Sequence, residues 1–383
     1  MPSAGLLSTS AAPDARAEAL LASFERAGYE RVAPAILQPA EPFLDLSGED
    51  IRKRMYLTTD PQGHELCLRP DLTIPVSRHY LASPAAGKPQ GFCYLGPVFR
   101  HRDAGAGEFL QAGIEAFARP DTAAADAEML ALGLDATAQY GLASPDILMG
   151  DVALFSTLVA ALDLAPAWKR RLIKDFNHKT SLAQDLDRLT IAAQGRPEYQ
   201  GVLAALAGSD PKAAQALVTD LLSIAGITAV GGRSVGEIAN RFLEQAALGA
   251  QTSLPRETRA LIERFLAIGG DPDDAAAELR AFARDARIAL DAVLDLFESR
   301  TGFLAARGVD VGRIRFSTAF GRGLDYYTGF VFELHDPRAR SPGQLVAGGR
   351  YDGLLARLGS ARPISAVGFA VWIERLAALR GGA

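Results

Sequence analysis

Apolar residues at helical spacing predict a first helix near the start of the chain. They would share one face of that helix: Ala17, Leu20, Leu21 and Phe24. Asp14 is a good N-cap for this helix, and Gly28 is a good C-terminal stop. An extended segment begins near Tyr29. Pro34 and Pro39 place it at the edge of a sheet or at an interface, because proline has no N–H to donate within a sheet.

Further along, short segments rich in β-branched and aromatic residues alternate with turns. Between positions 63 and 115 they predict a meander of antiparallel strands, with strand segments at residues 66–68, 92–95, 98–102 and 109–117. Residues 120–142 are alanine-rich with helical spacing, and residues 147–149 have the pattern of another strand. Residues 1–150 are therefore predicted to form the N-terminal part of a mixed α+β domain.

The composition changes over residues 151–308. Alanine and leucine dominate there, and strand patterns nearly vanish. Clusters of glycine, proline and aspartate separate the helical segments, as at Gly208-Ser209-Asp210-Pro211 and Gly269-Gly270-Asp271-Pro272. We predict a mostly helical insertion over these residues.

Alternation of apolar and polar residues returns after the predicted insertion, at residues 313–318 and 326–334. Gly348-Gly349 predicts a turn, and residues 369–379 predict a helix or a strand-to-helix junction. Residues 309–383 are therefore expected to complete the sheet that begins in the N-terminal part.

Composition narrows the classes of function. The chain has 383 residues, of which 49% are hydrophobic, which is enough for two or three structural units. Its net charge of -5 removes the general attraction to phosphates that is typical of many nucleic-acid-binding proteins. Cys67 and Cys93 are too few for a disulfide scaffold and too far apart for a CxxC pair. Free thiols, no signal-like N-terminus and no apolar run of membrane length predict a cytoplasmic protein.

Two local patterns have alternative interpretations. Gly232-Arg233-Ser234-Val235-Gly236 matches the nucleophile elbow of hydrolases, but Ser234 with Glu237 also forms a helix capping box, which we favour within a helical region. Lys169-Arg170-Arg171 could contact RNA or an acidic partner, although its helical spacing is more typical of a solvated face. No P-loop, complete G-x-G-x-x-G or H-E-x-x-H motif is present, and the histidines lack metal-ligand spacing. We therefore expect no cofactor and no metal.

Six short motifs carry the most specific information, and they occur in this order: Arg69-Pro70-Asp71-Leu72-Thr73, Phe99-Arg100-His101-Arg102, Gln111-Ala112-Gly113-Ile114-Glu115, Arg322-Gly323-Leu324-Asp325-Tyr326-Tyr327, Gly348-Gly349-Arg350-Tyr351-Asp352-Gly353, and Gly368-Phe369-Ala370 with Glu374-Arg375-Leu376. Together they resemble the catalytic domain of histidyl-tRNA synthetase over nearly the whole chain. The resemblance implies an α+β fold of the class II aminoacyl-tRNA synthetase type, in which helices flank an antiparallel sheet and a helical insertion interrupts it.

The resemblance also implies a pocket for histidine, with these binding residues: Asp71, Thr73, Arg100, Gln111, Glu115, Arg322, Tyr326, Tyr327 and Tyr351. An ammonium group needs hydrogen-bond acceptors and a carboxylate needs a fixed cation. By the family pattern, Asp71, Thr73 and Gln111 would hold the ammonium group, and Arg322 would face the carboxylate.

An imidazole ring needs a carboxylate and an aromatic wall, which the family pattern assigns to Glu115 and Tyr327, with Tyr351 lining the pocket. Gln111 and Glu115 are four residues apart and would point to the same side of a regular strand. The alternative is that Glu115 and Arg322 only form an internal ion pair. We favour the pocket because several partners match at once.

Three departures from the synthetase pattern bear on catalysis. Arg102 stands where the resemblance leads us to expect an acidic residue that helps to place ATP or the tRNA end. The loop at residues 103–107 is short and has no basic residue, and only eight residues follow Arg375. An anticodon-binding domain would need on the order of 100 residues. We therefore expect no such domain and no binding of tRNA.

This combination resembles the regulatory subunits of ATP phosphoribosyltransferase, as does Arg-Pro-Asp-Leu-Thr followed by Pro75. That resemblance implies a non-catalytic role in the first step of histidine biosynthesis, with a short-form catalytic ATP phosphoribosyltransferase subunit as partner and L-histidine as the feedback ligand. It also implies a homodimer, formed around Pro34, within a hetero-oligomer, and no membrane partner. Two alternatives remain: a truncated enzyme that forms histidyl-adenylate, and a stand-alone histidine-binding protein.

Overall fold

The structure is a computed structural model that describes residues 15–46, 51–102, 106–176, 182, 184, 186–187, 216, 219–220, 256–324, 326–339 and 343–379. It divides into two compact units. One is drawn from Met1–Leu158 and Phe265–Ala383, and the other from Val159–Arg264. None of the described helices combines the length and the apolar composition that a membrane span requires.

The strands of the described residues form two sheets, and their bounds are β1 (Glu30–Arg31), β2 (Leu37–Pro39), β3 (Tyr56–Thr59), β4 (Glu65–Leu68), β5 (Gln90–Phe99), β6 (Glu108–Phe117), β7 (Asp146–Asp151), β8 (Gly269–Gly270), β9 (Ile314–Ser317), β10 (Phe330–His335), β11 (Val346–Arg350) and β12 (Ala366–Trp372). A nine-stranded sheet has the order β1-β5-β6-β12-β11-β10-β7-β9-β8, and a three-stranded sheet has the order β2-β4-β3. Neighbouring strands from β5 to β7 in the large sheet are all antiparallel, as the sequence predicts.

The helices of the described residues are α1 (Ala15–Arg26), α2 (Glu41–Leu46), α3 (Thr73–Ala82), α4 (Thr122–Gln139), α5 (Val152–Ala161), α6 (Pro166–Asp175), α7 (Arg256–Leu266), α8 (Pro272–Ala286), α9 (Asp291–Ala306), α10 (Leu354–Arg357) and α11 (Ile373–Ala378). The alanine-rich α4 packs on β10, β11 and β12 with its small side chains, and α9 packs on α4. Helices α4 and α9 therefore cover one face of the central strands.

The first predicted elements are confirmed. The four apolar residues predicted to share one face of α1 are all buried, and Gly28 follows with a φ of +97°, which suits a helix stop. Asp14 lies outside the described residues. β1 is an edge strand of the large sheet, and Pro39 lies in the edge strand β2 of the small one. The edge position of β2 agrees with the absence of an N–H on Pro39, whereas Pro34 lies between β1 and β2 and in neither strand.

The predicted meander is wrong in three details. Residues 92–95 and 98–102 do not form two strands, because one continuous strand, β5, covers Gln90–Phe99. The segment at residues 66–68 belongs to the three-stranded sheet rather than to the large one. Between them lies α3, which the sequence pattern missed. Its Pro75 stands in the first helical turn, where the missing N–H has no intrahelical partner to lose.

Gly348-Gly349 does not form the predicted turn but lies inside β11. A Cβ atom at Gly348 would be 2.5 Å from Cβ of Phe369, and one at Gly349 would be 2.9 Å from Cγ1 of Val331. These glycines are needed for close packing between strands. The strand expected at residues 326–334 is also shorter, because β10 begins only at Phe330.

The second compact unit is narrower than the predicted insertion at residues 151–308. Helices α8 and α9 and strand β8 fall in the same unit as the large sheet, because β8 pairs with β9 and α9 packs on α4. The cluster at residues 269–272 does mark a helix start, where the Asp271 carboxylate accepts hydrogen bonds from the first-turn N–H groups of α8. The cluster at residues 208–211 and the G-x-S-x-G segment lie outside the described residues.

Candidate functional site

A cavity of about 160 Å³ opens over the middle of the nine-stranded sheet. Its walls come from segments far apart in the sequence: the start of α3, the end of β5, the middle of β6, and the loops that precede β10 and follow β11. All the predicted histidine-binding residues except Glu115 line it: Asp71, Thr73, Arg100, Gln111, Arg322, Tyr326, Tyr327 and Tyr351. The structure therefore brings the predicted set together, with Glu115 directly behind the wall.

The floor of the cavity consists of small residues on neighbouring strands. Ala347 on β11, and Gly368 and Ala370 on β12, line it directly. The β6–β12 register places Gly368 opposite Glu115, and a Cβ atom there would lie 2.8 Å from the Glu115 carboxyl carbon. Glycine at this position thus leaves the space that the Glu115 side chain occupies.

Glu115 is a buried acceptor for three hydroxyl groups. Thr73 Oγ1 donates to its Oε1 at 2.7 Å, the Tyr94 hydroxyl donates to the same oxygen at 3.2 Å, and the Tyr351 hydroxyl donates to Oε2. Only 1% of Glu115 is exposed. Burial raises its pKa to about 8, although the three hydroxyl groups oppose that rise. The carboxyl group thus changes charge near neutral pH.

Two buried acceptors in the cavity wall have no donor among the residues that the structure describes. Asp71 Oδ1 accepts the Ile74 N–H at 3.2 Å, but neither Asp71 Oδ2 nor Gln111 Oε1 has a hydrogen-bond partner among the described residues. Burial raises the pKa of Asp71, and the charge of Arg100 opposes that rise. An unpaired buried acceptor costs about 1–3 kcal/mol, so this wall favours a ligand that brings N–H donors.

Arg322 supplies a fixed cation to the same cavity. Its Nη1 donates to the Tyr327 hydroxyl at 2.6 Å, and its Nε donates to Glu333 Oε1 at 3.1 Å. Burial lowers the pKa of Arg322, but the electrostatic interactions with Tyr327 and Glu333 outweigh burial and raise it. Arg322 and Glu115 each bond to other residues, so the alternative of an ion pair between them is wrong.

Comparison with known proteins identifies the family. Residues 6–232 and 213–376 match the family model described as histidyl-tRNA synthetase. Proteins from Brucella canis and Brucella suis, each named ATP phosphoribosyltransferase regulatory subunit, are 43% identical over 356 residues, which are 92% of this chain and 93% of theirs.

This chain belongs to the family of ATP phosphoribosyltransferase regulatory subunits.

Solved structures of this family and of the synthetases share the fold. A Bacillus halodurans protein described as an ATP phosphoribosyltransferase regulatory subunit/histidyl-tRNA synthetase aligns with a TM-score of 0.65 and 22% identity, over 96% of this chain and 78% of that one. A histidine–tRNA ligase subunit from Alicyclobacillus acidocaldarius aligns with a TM-score of 0.56 and 25% identity, over 100% and 98% of the two chains. The histidyl-tRNA synthetase of Nostoc sp. PCC 7120 gives a TM-score of 0.61 at 16% identity, over 96% and 71%. The predicted class II synthetase-like fold is confirmed.

Arg102 marks the clearest chemical departure of this family member from the synthetase pattern. Its guanidinium carbon lies 3.7 Å from the centre of the Phe109 ring, and that of Arg100 lies 5.7 Å from the same ring. Arg102 Nη1 also lies 3.9 Å from a Glu374 carboxylate oxygen. A cation that does not line the cavity thus stands at this position, where the resemblance to the synthetase led us to expect an acidic residue.

The loop that carries Tyr326 and Tyr327 is held by Thr328. Its backbone N–H donates to the Arg350 carbonyl at 2.8 Å, and its Oγ1 accepts the Asp352 N–H at 3.0 Å. This clasp fixes both tyrosines over the cavity.

Arg350 connects that clasp to a buried ion network. Its Nε donates to Asp126 Oδ1 at 2.8 Å. Arg300 then bridges Asp126 at 2.9 Å and Asp151 at 2.8 Å. All four side chains are buried, so each arginine needs its acids. The network joins α4, α9 and the ends of β7 and β11 behind the site.

Sequence reasoning missed Tyr94, Glu333 and His335. Glu333 lines the cavity, Tyr94 bonds to Glu115, and His335 Nε2 lies 3.0 Å from Glu333 Oε2. Glu333 could have been identified from the sequence, because it is a charged residue within the mostly apolar strand β10. Within the described ranges, no three His, Cys, Asp or Glu side chains are grouped so that they could hold a metal ion.

Proposed function

We propose that this chain is the non-catalytic regulatory subunit of an ATP phosphoribosyltransferase in the cytoplasm, and that it binds L-histidine in the cavity over the sheet. The observation that carries the proposal is a pair of buried acceptors, Asp71 Oδ2 and Gln111 Oε1, that find no donor in the described part of the chain and lie in a cavity that also contains the Arg322 guanidinium. A free amino acid brings an ammonium group for the acceptors and a carboxylate for the arginine.

The size of the cavity supports a small ligand. Its volume of about 160 Å³ is well below the roughly 300–1,000 Å³ of pockets that hold drug-sized molecules. An amino acid suits this space better than a nucleotide does. Arg100, whose Nε donates to the Pro70 carbonyl at 2.7 Å, adds a second cation to the wall.

The ring of the ligand would meet hydroxyl and aromatic groups. Glu115 does not line the cavity, but its hydrogen bonds orient the hydroxyl groups of Thr73 and Tyr351, which do. Tyr326 and Tyr351 form an edge-to-face pair with ring centres 5.7 Å apart, and Tyr326 also contacts Tyr327. Glu115 would therefore recognise an imidazole N–H mainly through the hydroxyl groups that it holds.

The proposed assembly contains a short-form catalytic subunit, which transfers the phosphoribosyl group to ATP in the first step of histidine biosynthesis. Histidine binding would shift the complex toward a less active state, and that state must then bind histidine more tightly. We also propose a homodimer formed near Pro34, without tRNA. Exposed apolar side chains in the small sheet and the segment before it support such an interface: Ile36, Leu37 and Leu57.

Activity of the catalytic subunit tests the proposal. It should increase when this chain is added and decrease when histidine is then titrated. The variant D71N should still activate the catalytic subunit but should need far more histidine for inhibition. D60N, which changes an aspartate outside the cavity lining, is the matched control. Transferase activity that is indifferent to both the chain and histidine would refute the regulatory role.

A further inference from the structure

A series of polar side chains leads from the cavity toward the surface along β10. Arg322 Nε donates to Glu333 Oε1 at 3.1 Å, and Glu333 Oε2 lies 3.0 Å from His335 Nε2. The exposed fraction of the three side chains rises from 8% to 18% to 33%. One carboxylate therefore links a partly exposed imidazole to the buried guanidinium of the cavity.

The geometry of the series fixes the orientation of Arg322. Glu333 and His335 are two residues apart on one strand and project to the same side of the sheet. Because Glu333 holds Nε and the Tyr327 hydroxyl accepts from Nη1, two edges of the planar guanidinium are fixed. Its remaining amino group, Nη2, is then directed by the protein rather than by the ligand.

We propose that Glu333 positions Arg322 and that the charge on His335, acting through Glu333, sets how strongly the cavity prefers a ligand with a carboxylate. The inference rests on the proposed function, because it concerns the same cavity. With a neutral imidazole, the three side chains carry no net charge. A protonated imidazole gives them a charge of about +1, which attracts a carboxylate at Arg322 and strengthens the bond to Glu333.

Other charged groups surround His335. Asp146 is its register partner on β7, and Asp336 follows it in the chain. Arg375 on α11 acts on Glu333 through its charge. Aspartate and arginine side chains ordinarily titrate well outside the range from pH 5.5 to 8, whereas an imidazole ordinarily titrates within it. Glu115, whose pKa burial raises to about 8, also changes charge in that range, so substitution of His335 is what separates the two groups.

The test compares L-histidine with L-histidinol, which has a hydroxymethyl group in place of the carboxylate. Calorimetry with the full chain gives the Kd of each ligand from pH 5.5 to 8. Because both ligands carry an imidazole and an ammonium group, the ratio of the histidinol Kd to the histidine Kd isolates the carboxylate contact. In the wild type this ratio should rise on the order of fivefold as the pH falls, as expected for one added charge roughly 8 Å from the ligand at an effective dielectric constant of about 40.

Two substitutions at position 335 represent the neutral and the charged state of the imidazole. H335Q should hold the ratio near the wild-type value at pH 8, and H335K should hold it near the value at pH 5.5. E333D, which shortens the carboxylate arm, should weaken histidine binding at least about threefold and leave the histidinol Kd nearly unchanged. A merely structural effect would weaken both ligands alike.

His64 provides the matched control, because its Nδ1 lies 2.8 Å from an Asp60 carboxylate oxygen and it does not line the cavity. H64Q should keep the wild-type pH trend. A wild-type ratio that does not change with pH, or an H335Q ratio that changes as the wild type does, overturns this inference and leaves histidine binding intact. Absence of histidine binding by the wild type overturns both proposals.

Discussion

Replacing Glu115 with glutamine should change the way in which the stability of the protein depends on pH. The Glu115 pKa is raised from 4.5 to about 8, first by burial. Folding therefore favours the protonated carboxyl group. Relative to E115Q, the wild type should be most stable below pH 4.5 and should lose stability as the pH rises through 8.

The magnitude follows from the two pKa values. At about 1.4 kcal/mol per pH unit, the displacement from 4.5 to about 8 corresponds to about 5 kcal/mol of unfolding free energy between acidic and alkaline limits. About 3 kcal/mol of this should already be lost by pH 7. The difference between wild type and variant is the informative quantity, because other titrating groups contribute equally to both.

Urea denaturation of wild type and E115Q at several pH values from 5 to 9, without histidine, measures this difference. E108Q removes an exposed carboxylate from the same strand and is the matched control. The glutamine amide cannot accept all three hydroxyl groups, so E115Q should carry a further, pH-independent loss. A wild-type minus E115Q difference that stays constant within about 1 kcal/mol across this range would refute the assignment of a raised pKa to Glu115.

Three further predictions concern the cavity and its supports. D71N should weaken histidine binding about 10- to 100-fold in calorimetry, because a charge-assisted hydrogen bond is worth about 1.5–3 kcal/mol; unchanged affinity would remove Asp71 from the site. T328V removes the hydroxyl that accepts the Asp352 N–H, so the histidine Kd should rise about threefold or more, while the circular dichroism spectrum stays the same. An unaltered Kd would show that the hydrogen bonds of Thr328 do not hold the two tyrosines for the ligand. G368A should lower the free energy of unfolding by about 1–3 kcal/mol, since the new methyl group meets a buried carboxylate. G302A, where a Cβ has open space, should instead raise it by about 0.5–1 kcal/mol. Equal effects of the two substitutions in chemical denaturation would count against the packing argument.

Local sequence patterns predicted those helices and strands whose conformation depends mainly on their own residues. The α1 face follows from the spacing of its apolar residues, and the edge position of β2 follows from the missing N–H of Pro39. Helix α3 was missed because the short run from Thr73 to Ala82 has β-branched residues and a proline, and its burial against the sheet decides its form. Gly348-Gly349 gave a turn signal, although the close approach of β10 and β12 is what requires these glycines.

The sequence predicted the residues of the cavity more completely than the residues that surround them. The motif order assigned the residues that line the cavity, since each motif carries its own chemistry. The sequence did not predict how deeply each of these residues is buried. Glu115 lies behind the cavity wall because α3 brings Thr73, which donates to the Glu115 carboxylate, over β6. The partner of Arg322 is Glu333, eleven residues away, and the Arg300 network joins positions more than a hundred residues apart. Such pairings depend on strand order and helix docking, which spacing along the chain does not encode.

The small residues beneath the cavity control the size of ligand that fits, because they leave space that larger side chains would fill. Ala347, Gly368 and Ala370 contribute almost no bulk, so the depth of the cavity is set by the sheet backbone itself. Larger side chains at Ala347 or Ala370 would shorten the cavity without altering the groups proposed to hold an ammonium or a carboxylate, whereas a methyl group at Gly368 would meet Glu115. Descendants of this scaffold could therefore be redirected toward smaller amino acids by changes in the floor alone, with the polar walls preserved.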